Sequence, residues 1–143
     1  MKVLVVGNGA REHAITWKLS QSSRVTAISV APGNAGTARI ATNVPINASD
    51  IKGLVRFAKE GRVGLTVVGP EAPLADGIAD RFQAEGLLLF GPTKGAAMIE
   101  SSKSFAKQVM RDSGVPTGSA KVFDSYEDAT AYIGSVPMPV VVK

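Results

Sequence analysis

The sequence has no cysteine and a single histidine, His13. The first absence excludes a disulfide scaffold, a zinc–thiolate centre and a cysteine nucleophile. The second means that any metal site must be built from carboxylates. Aromatic side chains are few, with one Trp, two Tyr and five Phe among 143 residues. The sixteen Lys and Arg are scattered, so the net charge of +4 does not read as a nucleic-acid stripe. Small anionic partners are expected instead. No apolar run approaches the roughly 20 residues that span a bilayer, and the start lacks the charged, apolar, then small-residue order of a secretory signal. Neither a membrane nor an export route is expected, and a cytoplasmic address follows by default.

What is present describes a globular chain. With 45% hydrophobic and 20% charged residues it is neither disordered nor of low complexity. A chain of this length can bury roughly two thirds of its unfolded surface. Short β-branched or leucine-rich runs predict strands at residues 2–6, 25–30, 65–68 and 87–90. Helical spacing predicts helices at 10–20, 51–60 and 74–85 between them. Alternation of this kind, with strands that lack polar alternation, predicts an α/β fold with a doubly wound parallel sheet. Within the first helix, Ala10, Ala14 and Trp17, flanked by Ile15 and Leu19, are expected to cover the sheet.

The segments after the strands carry the chemistry. The first strand breaks into Gly7-Asn8-Gly9-Ala10-Arg11-Glu12-His13 and enters a helix within a few residues. Bare glycines there allow a sharp turn with outward N–H groups, and the helix start adds unpaired donors and a positive dipole end, a setting for phosphate. A dinucleotide fingerprint wants glycine at the first, third and sixth positions, which are Gly7, Gly9 and Glu12. The sixth position is a large acid, which should remove close helix–strand packing, and no acidic ribose ligand follows the second strand. A structural turn, a nicotinamide site and a site for another phosphorylated ligand all remain open from this pattern. Further Gly/Pro-rich segments follow the other strands at residues 31–36, 69–77 and 91–95. All four lie at carboxyl ends of strands, so they are expected to converge on one crevice, with Glu71 as a buried acid within it.

Beyond Gly95 the pattern changes. Residues 100–113 predict one helix with Ser101 or Ser102 as N-cap and Gly114 before Pro116 as its stop. Lys103 and Lys107 share a face of it, where lysines are ordinarily solvated. A strand at 120–123, a helix at 126–133 introduced by Ser125, and a strand at 139–143 follow. Pro137 and Pro139 keep the entry to that last strand extended, which places Lys143 at its tip.

The runs VGNGAREH, APGNAG, VGPEAPLADG, FGPT, ESSKSFAK, GVPT and PVVVK stand in this order along the whole chain. In order and spacing they resemble the amino-terminal part of the phosphoribosylamine-glycine ligase family, also called glycinamide ribonucleotide synthetases, which are similar to other ATP-grasp ligases. The resemblance implies a pre-ATP-grasp, Rossmann-like domain over residues 1–100, a connecting helix and link over 101–119, and the truncated start of an ATP-grasp domain over 120–143. It also implies an activity, the ATP-dependent ligation of glycine to 5-phosphoribosylamine through a glycyl phosphate in purine biosynthesis.

Residue by residue, the resemblance assigns Gly7, Gly9, Arg11, Gly33 and Asn34 to the phosphoribosylamine crevice and Glu71 to the ribose hydroxyls. Lys103 and Lys143 match lysines that contact ATP phosphates, while Glu12 and His13 are expected to order the loop or cap the helix. Ala10 departs from a glycine common in the family, which touches only the fine geometry of the loop. No catalytic residue is assigned. Ligands for Mg2+ or Mn2+ are expected in parts of the family enzyme beyond this length, so these residues alone are expected to be inactive, and a monomer is expected. Two alternatives stand beside the ligase: a non-catalytic module that binds a ribose phosphate, and a nicotinamide-dependent oxidoreductase.

Overall fold

The computed structural model describes residues 1 to 142 and separates into two compact units, Met1–Lys103 and a second from Ser104 onward. The first unit is built on five parallel strands: β1 (Lys2–Gly7), β2 (Ala27–Pro32), β3 (Thr42–Asn43), β4 (Leu65–Val68) and β5 (Leu89–Phe90), in the order β3-β2-β1-β4-β5. Val3 to Val6 pair with Ile28 to Ala31 on one side and with Leu65 to Val68 on the other. The chain therefore steps outward from β1 to β3, returns beside β1 at β4, and leaves a topological switch point between β1 and β4.

Alternation along β1 explains the two layers. Leu4 and Val6 face a core with Leu54, Val55, Ala58, Ile78 and Phe82 from α2 (Ile51–Gly61) and α4 (Ile78–Ala84). Val3 and Val5 face the opposite core with Ile28, Val30 and Val67, covered by Ile15 and Leu19 of α1 (Ala10–Ser20). The doubly wound parallel sheet is thus as expected, but the buried stripe of α1 is not. Glu12 and Thr16 are buried, with Ile15 and Leu19 partly so, whereas Trp17 is 55% exposed and Ala10 and Ala14 face solvent. Both stripes have helical spacing; the one chosen seats Glu12 against the loop that begins the helix.

Other differences have local causes. The helix expected over 74–85 is two helices, α3 (Glu71–Ala75) and α4, because Gly77 at φ 92 breaks the run. The helix expected with Ser101 or Ser102 as its N-cap is α6 (Lys103–Asp112), entered from Ser102 in an extended conformation; the helix before it, α5 (Lys94–Ser101), was not expected. β3 is two polar residues held beside Ser29 and Val30, too short to carry a hydrophobic signature.

In the second unit, Ser125 caps α7 (Tyr126–Ser135) by accepting the Asp128 N–H at 3.2 Å, and Gly114 at φ 67 follows the end of α6 as expected. Phe123 packs on Tyr132 with ring centroids 5.2 Å apart, and the Lys121 ammonium stands 4.5 Å from the Tyr132 ring centre. The strand expected at 120–123 does not form, nor does one at 139–142, and Lys143 lies outside the described residues. A strand is stabilised by its ladder, and among the described residues neither segment has a paired neighbour; Val141 is 84% exposed.

One buried group in the sheet is out of place energetically. Thr66 in β4 is 1% exposed and its hydroxyl has no hydrogen-bond partner among the described residues. Thr66→Val keeps the shape and removes the orphaned polar atom, so it is expected to stabilise the domain by about 1 kcal/mol. A chemical-denaturation midpoint moved upward at unchanged slope is the expected reading.

Candidate functional site: a crevice at the β1–β4 switch point

A crevice of about 240 Å³ opens at the carboxyl edge of the sheet, lined by segments that leave β1 (Gly7, Asn8), β2 (Pro32) and β4 (Pro70, Ala72, Pro73, Asp76) and by Asn47 to Ser49. Three of the four expected loops therefore meet there. The fourth does not: Gly91 and Thr93 border a separate, more apolar hollow with Leu87 to Leu89. The reason is positional, since β5 lies at the edge of the sheet, one strand beyond the switch point.

Each wall has a local cause. Gly7 ends β1 at φ 128, a conformation that a side chain would strain, and its carbonyl accepts the Gly33 N–H at 3.1 Å. That bond joins the first loop to the second. Asn34 completes the joint: its side-chain N–H2 donates to the carbonyls of Asn8 and Gly9, while its Oδ1 accepts from the N–H groups of Gly36 and Thr37. The Asn34 amide is therefore fully engaged in tying the loops together. His13 lies against the same turn, where a Cβ on Gly36 would come within 2.9 Å of its ring.

The first loop has an unexpected occupant. The Glu12 side chain folds back beneath it, 4% exposed, and accepts the Gly9 N–H at 2.6 Å. A Cβ on Gly7, Gly9 or Gly69 would lie 2.6, 2.9 or 1.9 Å from atoms of that side chain. The acid at the sixth fingerprint position does not remove close packing between helix and strand; the missing side chains of three glycines make room for it.

Of the residues expected to bind substrate only Gly7 lines the crevice; Gly9, Arg11, Gly33, Asn34 and Glu71 stand outside its lining, and Glu71 opens α3 directly after Pro70. It is not buried as expected: its side chain is 55% exposed, with Oε2 3.9 Å from Nη1 of Arg11. Arg11 Nη1 also donates to the Gly69 carbonyl, which holds the guanidinium across the β1–β4 gap. An exposed pair at this distance contributes little to stability, which leaves both groups available to a guest. Asn47, Ala48 and Ser49 are the lining residues that lie outside the expected loops. The signal for them was the Asn-Ala-Ser-Asp run before α2, where Asn47 Oδ1 accepts from Ser49 and Asp50 caps the helix through the Gly53 N–H.

The expected ATP contact Lys103 is the exposed first residue of α6 and is not among the residues lining the crevice. Its partner Lys143 lies outside the described residues. Lys107 is not merely solvated, since its ammonium donates to Thr117 Oγ1 at 2.6 Å and to the Gly118 carbonyl at 2.7 Å. No group of three or more acidic or histidine side chains that could hold a metal ion occurs among the described residues, and no described helix is long and apolar enough to cross a membrane.

Residues 1–100 match the sequence family described as phosphoribosylglycinamide synthetase, N domain. The chain belongs to this family. It is 55% identical over 143 residues to the phosphoribosylamine-glycine ligase of Halalkalibacterium halodurans and 50% identical over 145 residues to that of Escherichia coli O157:H7. In each case all of this chain is covered, but only 33% and 34% of the relative, so the chain spans about one third of the length of the relatives it matches. The crystal structure of phosphoribosylamine-glycine ligase from Thermotoga maritima superposes with a TM-score of 0.69 at 28% identity, over 96% of this chain and 31% of that one. A biotin carboxylase domain from Hydrogenobacter thermophilus reaches a TM-score of 0.71 at 21% identity, over 96% of this chain and 33% of that one, a likeness of fold alone. The resemblance read from the motifs is therefore borne out, as is the α/β fold with its parallel sheet.

Proposed function

We propose that the switch-point crevice holds the ribose phosphate substrate of an ATP-dependent carbon–nitrogen ligase that joins glycine to 5-phosphoribosylamine in purine biosynthesis. The observation that carries this reading is the exposed pair of Arg11 and Glu71, 3.9 Å apart, with Glu71 flanked in sequence by the crevice-lining residues Pro70 and Ala72. A carboxylate can accept from two vicinal hydroxyls, while a guanidinium suits a phosphate. In this reading Gly7 and Gly9 shape the first wall, Gly33 and Asn34 hold the second in register, and Glu71 binds the ribose.

Bound in this way, the sugar amine would be presented to the acyl phosphate that forms when ATP phosphorylates the glycine carboxylate. Attack at that carbonyl forms the amide and releases phosphate. Lys103 and Lys143 are proposed to meet ATP phosphates, whose charge they would offset. Residues 1–100, which match the family's N domain, are proposed to bind substrate, 101–119 to form the link and 120–143 to begin an ATP-grasp domain. Mg2+ or Mn2+ would accompany ATP; no carboxylate here is assigned to it, and no step is routed through it. A monomer in the cytoplasm accords with this role.

Glu71→Gln is expected to weaken binding of glycinamide ribonucleotide by a charge-assisted hydrogen bond, roughly 1.5 to 3 kcal/mol. Calorimetric titration reads this directly, and unchanged affinity would remove Glu71 from the site.

A further inference from the structure

We infer that Glu12 is a specificity-determining residue: its carboxylate acts as an internal anion that occupies the glycine loop and closes it to pyrophosphate-bearing ligands. A strand, a glycine turn and a helix start of this kind form the cradle in which dinucleotide folds receive a pyrophosphate, through N–H groups and the positive helix end. Here that place is taken. The Gly9 N–H, which immediately precedes α1, is donated to Glu12 Oε2 at 2.6 Å.

Three observations make the occupant permanent. Glu12 is 4% exposed, so its carboxylate is a built part of the loop rather than a side chain visiting from solvent. Gly7, Gly9 and Gly69 all leave space that this side chain fills, since a Cβ on any of them would fall within 3 Å of it. Asn34 holds the same loop from its other side by donating to the Asn8 and Gly9 carbonyls. An incoming pyrophosphate would have to displace a buried carboxylate that already uses the Gly9 donor and offsets the helix dipole, or else lie against its negative charge. Ligands that enter from the β1–β4 crevice meet Gly7, Asn8, Ser49 and Ala72; Glu12 packs behind Gly7 and is not itself among the lining residues. Glu12 thus separates a sugar monophosphate from a dinucleotide on a fold that could otherwise hold either. This holds whichever sugar phosphate the crevice receives.

The test uses the 15N-labelled chain with inorganic pyrophosphate and NADH as probes. In the unmutated protein neither probe is expected to move the Gly9 amide resonance at millimolar concentration. Glu12→Gln keeps the volume and the acceptor but removes the charge, and pyrophosphate affinity is expected to rise about tenfold, with the Gly9 resonance now shifting. Glu12→Ala also empties the space and is expected to admit NADH. Thermal melts identify which variants are folded, and Glu12→Gln decides the matter if Glu12→Ala is not. Movement of Gly9 by pyrophosphate in the unmutated protein, or unchanged pyrophosphate affinity in a folded Glu12→Gln, would overturn the inference.

Discussion

Gly69→Ala is expected to destabilise the amino-terminal unit by about 3 kcal/mol, although it adds a single methyl group. A Cβ on Gly69 would lie 1.9 Å from Oε1 of Glu12 and 2.6 Å from its carboxyl carbon. The methyl cannot be absorbed by a flexible tip, because Glu12 is buried and fixed at its other oxygen by the Gly9 N–H. The carboxylate must therefore leave, which costs the capping bond of α1 and opens the first loop. Measured by urea denaturation, Gly69→Ala combined with Glu12→Ala should be less destabilised than the sum of the single variants, since the clash and the displaced group are the same interaction. Additive losses would show that the two residues do not meet.

Phe82→Ala should have the larger effect, about 4 kcal/mol. Phe82 is fully buried and belongs to the core that joins Leu4 and Val6 of β1 to Leu54 of α2 and Ile78 of α4. The ring packs with residues of two helices and the central strand, so its removal leaves a void in the core that costs packing as well as burial. Its loss should lower the denaturation midpoint with little change in slope, and a change below about 1 kcal/mol would place Phe82 outside a rigid core.

How much of this was legible in the sequence depends on whether the signal was local. β1, α1, α2 and β4 were readable because each carries its own periodicity and its own punctuation, such as Asp50 before α2. The parallel sheet followed from their alternation. Trp17 was misplaced because two stripes of α1 share helical spacing, and only the three-dimensional position of Glu12 decides between them. Glu71 is expected as a buried acid, yet as the first residue of α3 its side chain is 55% exposed. The strands expected at 120–123 and 139–143 have β-forming composition, but a strand is a property of two segments and the partner cannot be seen from one. In the site, the glycines were legible as a place of close approach. What approaches was not, because the group that Gly7, Gly9 and Gly69 accommodate belongs to the chain itself and Gly69 is far from it in sequence.

The central claim is that the β1–β4 crevice is a preformed sugar phosphate site. Amide NMR titration of this chain with glycinamide ribonucleotide, with NADH as control, tests it most directly. The predicted result is shifts grouped at Gly7, Asn8, Gly33 and Glu71, with no response to NADH. Shifts confined to other parts of the chain, or a response at the first loop to NADH but not to glycinamide ribonucleotide, would contradict it.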